Sequence, residues 1–286
     1  MSTRRSPLAW IACAVAVLLL LQAPAAQVVA LEQPSRPYRI LVTNDDGIRA
    51  PGLLAVTQAL QTLGEVTVAA PVENQSGKGH SITTSDPILV DPITIAGAVR
   101  AFAIAAPPAT CVKVAVRALM PDRPDLVVSG INRGYNLGMV TYVSGTVGAA
   151  REAALIGLPA IAASLAVEEL NYAAAAQIVK RVAEMVRANG LEPGVLLNVN
   201  IPAGTGIDIK GIQLTRQGSG SGEERFEEQK SPAGRRLFWS VWKEPTGGAE
   251  GTDVWAAERG YASITPLRAG EFDQQTFGAW EGKVAR

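Results

Sequence analysis

Arg39–Gly52 reads R-I-L-V-T-N-D-D-G-I-R-A-P-G, and the fold turns on its first half. Ile40-Leu41-Val42-Thr43 is a short apolar run with β-branched residues, the composition of a strand buried in a parallel sheet, and it stops at Asn44-Asp45-Asp46-Gly47. Two neighbouring carboxylates at the carboxyl end of a buried strand lie where open α/β sheets bind ligands. Their repulsion calls for a cation or a shared proton. A hard divalent metal is the simplest compensation, and plain Asn-Asp-Gly turn chemistry is the alternative.

Outward from this stretch, Leu53, Leu54, Val56, Leu60 and Leu63 recur at helical spacing, with Pro51 suited to a first turn and Gly64 to a stop. Val66–Ala70 reads as a second buried strand, so strand, helix and strand form a βαβ unit whose active edge carries Asp45 and Asp46. The polar loop after it, Pro71–Ser81, opens on the same edge, and Ser76-Gly77-x-Gly79 offers a hydroxyl and exposed backbone N–H groups. Thr110–Met120 reads as a helix, and Pro124–Gly130 as a third buried strand ending in Ile131–Gly138. There Asn132 can present a carbonyl oxygen to a hard cation or an amide to a phosphate. Ser144-Gly145-Thr146 opens a strong helix former, Val147–Ala154, either as an ordinary cap or as an anion-facing helix start.

Further along, Ala160–Ser164 suggests a strand, Asn171–Arg187 a scaffold helix, and Val195–Asn200 the strand that ends the main sheet. Ile207–Thr215 and Arg236–Trp242 alternate like the strands of an extended hairpin arm, joined by a Gly-Ser linker and the charged run Glu223–Lys230 as arm tip. Thr252–Gly260 reads as a short helix and Tyr261–Thr265 as a last strand. The expected organisation is a signal peptide over 1–30 and one domain over 31–286, with its core at about 38–205 and 252–267 and its arm at about 206–245.

Composition narrows the function. Of 286 residues 48% are hydrophobic, enough for a large core, and 26 basic residues balance 26 acidic ones. That balance lacks the basic stripe on which polymeric nucleic acid binds. Arg4-Arg5, the apolar run Leu8–Leu21 and the small-residue sites Ala23-Pro24-Ala25 or Val28-Val29-Ala30 describe a secretory signal, too short in its apolar part for a membrane span. The mature chain is therefore expected to be exported, with no membrane attachment after cleavage, keeping only Cys111 and forming no disulfide within itself. With one histidine, His80, a His-rich zinc site is excluded.

Five segments together resemble the SurE family of survival-protein nucleotidases: Ile40–Gly52, Ala70–Thr83, Pro124–Gly138, S-G-T-V-G-A-A-R-E-A at Ser144–Ala153, and T-D-V-W-A-A-E-R-G-Y-A-S-I-T-P-L at Thr252–Leu267. The resemblance implies a Rossmann-like, three-layer α/β core with a largely parallel sheet and a C-terminal β-hairpin arm exchanged in a homodimer or homotetramer. It implies one divalent metal ion per subunit, magnesium or manganese, and hydrolysis of nucleoside 5′- and 3′-monophosphates or other small phosphate esters. By position it assigns Asp45, Asp46, Ser76 and Asn132 as metal ligands, and Asn44, Asn74, Gly77, Asn136, Ser144, Gly145 and Thr146 to the pocket and its phosphate, with Asp45, Asp46, Asn44 and Ser144–Thr146 catalytic.

Two positions depart from the family pattern. Thr110 stands where an acidic residue is usual, and the aspartate that usually follows Asn-Leu-Gly is missing from Met139–Tyr142. A phosphoaspartyl enzyme would also suit a strand ending in acids, although its spacing is D-x-D rather than D-D, and a nucleotide-binding module without turnover needs the same loops. A dinucleotide-binding domain is disfavoured, since no G-x-G-x-x-G follows the first strand.

Overall fold

The computed structural model describes residues 36–204, 209–270, 272–281 and 283. The chain divides into Met1–Arg36 and Pro37–Arg286, and all the elements below belong to the second unit. The expected signal peptide and export signal lie outside the described residues, among which no helix is long and apolar enough to cross a membrane.

Chain order begins β1 (Arg39–Thr43), α1 (Pro51–Leu60), β2 (Glu65–Pro71), β3 (Val90–Ile93), β4 (Arg100–Ile104) and α2 (Pro108–Val114), which runs on as one π-turn over Ala115–Leu119. It continues through β5 (Leu126–Arg133), a 3₁₀ turn (Gly138–Tyr142), α3 (Gly145–Leu155), β6 (Ala160–Leu165), α4 (Tyr172–Asn189) and β7 (Val195–Ile201). Then come β8 (Ile212–Leu214), β9 (Glu223–Lys230), β10 (Arg236–Lys243), α5 (Asp253–Glu258), β11 (Ala262–Arg268) and α6 (Gln274–Trp280).

Nine strands make one sheet in the order β3-β4-β2-β1-β5-β6-β7-β11-β8. From β4 to β7 every neighbour is parallel; β3 and β11 run antiparallel to β4 and β7. Because side chains alternate across a strand, Ile40 and Val42 of β1 enter one core with Leu53, Val56 and Leu60 of α1 and Val179 and Val182 of α4. Leu41 enters the opposite core with Val112 of α2 and Val147 and Ala150 of α3. The result is the expected three-layer α/β architecture. The chain leaves β1 toward β2 and β4 on one side and returns through β5, β6 and β7 on the other, so the strand order reverses at β1. At such a reversal the flanking loops diverge and leave a crevice.

Gly52 lets α1 approach this edge, since a Cβ there would sit 2.0 Å from the Ile131 carbonyl oxygen. No side chain fits between that helix and β5.

The far edge and the arm differ from the sequence reading. Val195–Asn200 does not end the sheet, because β11 pairs antiparallel with β7 and β8 pairs parallel with β11. The expected strand Ile207–Thr215 is thus an edge strand of the main sheet, Ile212–Leu214, rather than part of the arm; Ile207 lies outside the described residues. The hairpin instead pairs Arg236–Lys243 with Glu223–Lys230, the charged run read as linker and tip. Its alternating charges concealed a strand that is solvated on both faces. Glu228 meets Arg236 at 2.7 Å, Glu223 meets Lys243 at 3.6 Å, and the Ser240 hydroxyl donates to Glu224 at 2.8 Å.

Candidate active site

The β1 strand delivers Asp45 and Asp46 to the crevice, and three loops are hydrogen-bonded to them. The Gln75 N–H donates to the Asp45 carbonyl at 2.7 Å, tying the Asn74–Gly77 loop after β2 to this turn. The Arg133 N–H donates to Asp46 Oδ2 at 3.0 Å, which brings in the end of β5. The Thr146 hydroxyl donates to Asp45 Oδ1 from the first turn of α3. Gly145 makes that last approach possible: a Cβ on it would lie 2.8 Å from the Cβ of Asp45 and 2.9 Å from its Oδ2. Segments separated by up to about a hundred residues therefore meet at two consecutive aspartates.

The electrostatics follow from burial. Asp45 is almost fully buried, and desolvation pushes its carboxyl above the usual range against the opposing pull of the Thr146 hydroxyl and the N–H groups of Thr146 and Gly145. Asp46 is pushed up to about 6, first by burial and then by the charge of Asp45, while the Arg133 N–H and guanidinium pull it down. Half-buried Tyr172, at the start of α4, is raised by burial and then by the charge of Asp46. Sequence reading treated α4 as scaffold and missed this neighbour; a lone Tyr at a helix start carries no distinguishing signal.

The donor set suits a hard divalent cation. Both acids are forced toward the neutral form by burial, so positive charge beside them is strongly favoured. In the same turn the Asn44 amide nitrogen donates to the Gly47 carbonyl at 2.9 Å, and its buried Oδ1 has no hydrogen-bond partner. Asn132 likewise turns its amide nitrogen to the Gly134 carbonyl, 2.8 Å away, which leaves its oxygen as the free donor. Asn74 closes the loop by accepting the Ser76 N–H at 2.8 Å, and Ser76 is exposed. Gly77 has positive φ, and no atom lies within 4 Å of where its Cβ would be. Among the described residues no three His, Cys, Asp or Glu gather around one point.

Ser144 acts as the cap of α3, its hydroxyl accepting the Val147 N–H at 3.1 Å. Asn136, expected to line the pocket, has its amide nitrogen committed to the Ser164 hydroxyl at 2.8 Å, so any role toward a ligand passes through its other atoms. Thr110 is buried and accepts the Thr83 N–H at 2.9 Å, holding the end of the Ser76 loop. His80 Nε2 lies 2.8 Å from Glu152 Oε2, and Glu152 also faces Lys113 at 3.9 Å.

Fold and site define an α/β protein with a paired-carboxylate centre at the reversal point of its sheet, faced by a glycine loop and a helix start. Residues 40–224 match the family model described as Survival protein SurE. The chain is 45% identical over 231 residues to 5′-nucleotidase SurE of Pelobacter propionicus, covering 80% of this chain and 92% of that one. It is 44% identical over 233 residues to 5′-nucleotidase SurE 1 of Thermus thermophilus, covering 80% and 91%. The crystal structure of SurE protein from Aquifex aeolicus superposes with a TM-score of 0.73 at 37% identity, covering 84% of this chain and 97% of that one. The chain belongs to the SurE survival-protein family.

Proposed function

We propose that this hydrolase cleaves nucleoside 5′- and 3′-monophosphates to nucleoside and phosphate, with a divalent cation, magnesium or manganese, held by Asp45, Asp46, Ser76 and Asn132. The observation that carries the reading is the adjacent pair of carboxylates, Asp45 buried and Asp46 half-buried, the first held by the hydroxyl and N–H groups that open α3. The names of the relatives, 5′-nucleotidase, supply the substrate class.

When bound, the cation supplies Lewis-acid polarisation of the phosphoryl group and a lowered pKa for attacking water. The chain's own residues do the rest. Thr146 and the Gly145 N–H orient Asp45 and partly offset the effect of burial on its carboxyl. The Arg133 N–H orients Asp46 and pulls against the same effect there. Backbone N–H groups of the Gly77 loop would face the phosphoryl oxygens and stabilise charge as it spreads over them, while those that open α3 are taken up by Asp45 and Ser144. Water oxygen bonds to phosphorus and releases a proton to solvent, the ester P–O bond breaks, and the departing alkoxide takes a proton from solvent to leave as alcohol.

The expected setting is also part of the proposal: residues 1–30 are a signal peptide, the mature chain is exported, and it forms dimers or tetramers through the hairpin. Phe226, Phe238, Trp239 and Trp242 are exposed on that two-stranded ribbon, which cannot bury them alone.

A panel of nucleoside 5′- and 3′-monophosphates and p-nitrophenyl phosphate, assayed for released phosphate in EDTA and after adding magnesium or manganese, tests the reading. Phosphate release that needs the cation is expected. Undiminished turnover in a fully metal-depleted assay would sink the metal assignment, and a trapped aspartyl phosphate would replace direct hydrolysis with a covalent route.

A further inference from the structure

Strand β7 reads V-L-L-N-V-N-I, an apolar run broken by two asparagines, and both are fully buried. They share the face that carries Leu196, beneath α3 and the loop that leads to it. Asn200 pairs with the backbone of Asn136 as one strand would with another: its Oδ1 accepts the Asn136 N–H at 2.7 Å, and its Nδ2 donates to the Asn136 carbonyl at 3.2 Å. Asn198 Nδ2 donates to the same carbonyl at 2.8 Å. Ser164 of β6 completes the clamp by accepting from the Asn136 side chain, and it stands opposite Asn132 in the β5–β6 register.

Every polar group of the Asn136 backbone is thereby held by side chains from a strand more than sixty residues away. This residue lies four positions from Asn132, and its loop continues to Ser144-Gly145-Thr146. Apolar residues would fill this part of the core without the desolvation cost of two amides, a cost made plain by Asn198 Oδ1, which is buried without a partner. A sequence that breaks its own apolar pattern does so where a site needs support.

We infer that Asn198 and Asn200 are positioning residues: through the Asn136 backbone they set the register of the segment that joins Asn132, at the end of β5, to the α3 start that holds Asp45. The inference rests on the proposed function. Outer partners of a metal site typically alter affinity or activity by about 10- to 100-fold.

The test uses the full-length chain with Asn200→Asp, which keeps the acceptor for the Asn136 N–H but loses the donor to its carbonyl, and Asn198→Ala, which leaves the Asn200 pair intact. Leu196→Ala, on the same face but without a polar contact, serves as the destabilised control. Manganese affinity is read by titration, independently of turnover, beside steady-state kinetics and melting temperature. Expected for Asn200→Asp is about a 10- to 100-fold loss of manganese affinity and of kcat at saturating metal, with KM changed by less than about threefold, and a smaller loss of the same kind for Asn198→Ala. If Asn200→Asp does not fold, the Asn198→Ala result decides alone. Affinity and kcat unchanged in a folded variant, or lost equally in Leu196→Ala at a matched fall in melting temperature, overturn the inference. A wild-type chain that binds no manganese overturns the metal reading first.

Discussion

Asp46 is the residue whose chemistry makes the sharpest prediction. Its carboxyl titrates near 6 in the folded apoprotein against 3.8 when unperturbed, so the folded state binds its proton more tightly than the unfolded state does. The associated stability is present below pH 3.8 and is lost as pH rises through 6. Allowing for solvent around a partly exposed group, the loss is on the order of 1–2 kcal/mol. Asp46→Asn should therefore raise apoprotein stability above pH 6 and change it little near pH 4, in melts run with EDTA. An equal effect at both pH values would contradict the burial and charge account. The same substitution, like Asp45→Asn, should reduce cation-dependent phosphate release by at least about 100-fold. Wild-type affinity for the cation should fall as pH drops below 6, where proton and metal compete for the same oxygens. His80 makes the opposite prediction: with its Nε2 turned to Glu152, His80→Ala should keep measurable turnover. Complete loss, with fold and metal binding unchanged, would point to acid–base work by the imidazole.

At the scale of elements, the start of α3 has to lie against the end of β1, and Gly145 is the point of closest approach. An added methyl would strike Asp45 at 2.8–2.9 Å, with the helix on one side and the strand on the other. Gly145→Ala should lower kcat by about 100-fold, as a displacement near 1 Å commonly does. Gly77→Ala, at a position with open space but positive φ, should cost less. A kinetic comparison of the two separates close approach from backbone freedom, and equal losses would refute the distinction.

For the molecule as a whole, the hairpin is the part that reaches away from the core. Phe238 and Trp239 on β10 are more than half exposed, and arm exchange between subunits would cover them. Because β8 belongs to the main sheet and Gln217 donates to Gly138 and Thr141 at 2.9 Å, the segment to remove is Glu223–Lys243 alone. Replacing it with a short Gly-Ser link should leave a folded, monomeric core by light scattering and circular dichroism. An intact chain that is already monomeric at micromolar concentration would end the exchange proposal and leave the aspartate chemistry untouched.

The sequence alone determined β1, β2, β5, β6 and β7 of the parallel core but not β4, because a strand such as Ile40–Thr43 or Val66–Ala70 is buried on both faces and must be apolar along its whole length. It also determined the edge at which Asp45 and Asp46 stand, since strand followed by helix followed by strand leaves little choice of direction. Tertiary structure decided the rest. Glu223–Lys230 became a strand only because a partner across the ribbon matched its charges, a pairing that local composition does not contain. The Asn136 clamp, the nearness of Tyr172 to Asp46 and the membership of β8 in the main sheet all join residues far apart in the chain. Periodicity reports which face of an element is apolar, and only packing reports what lies against it.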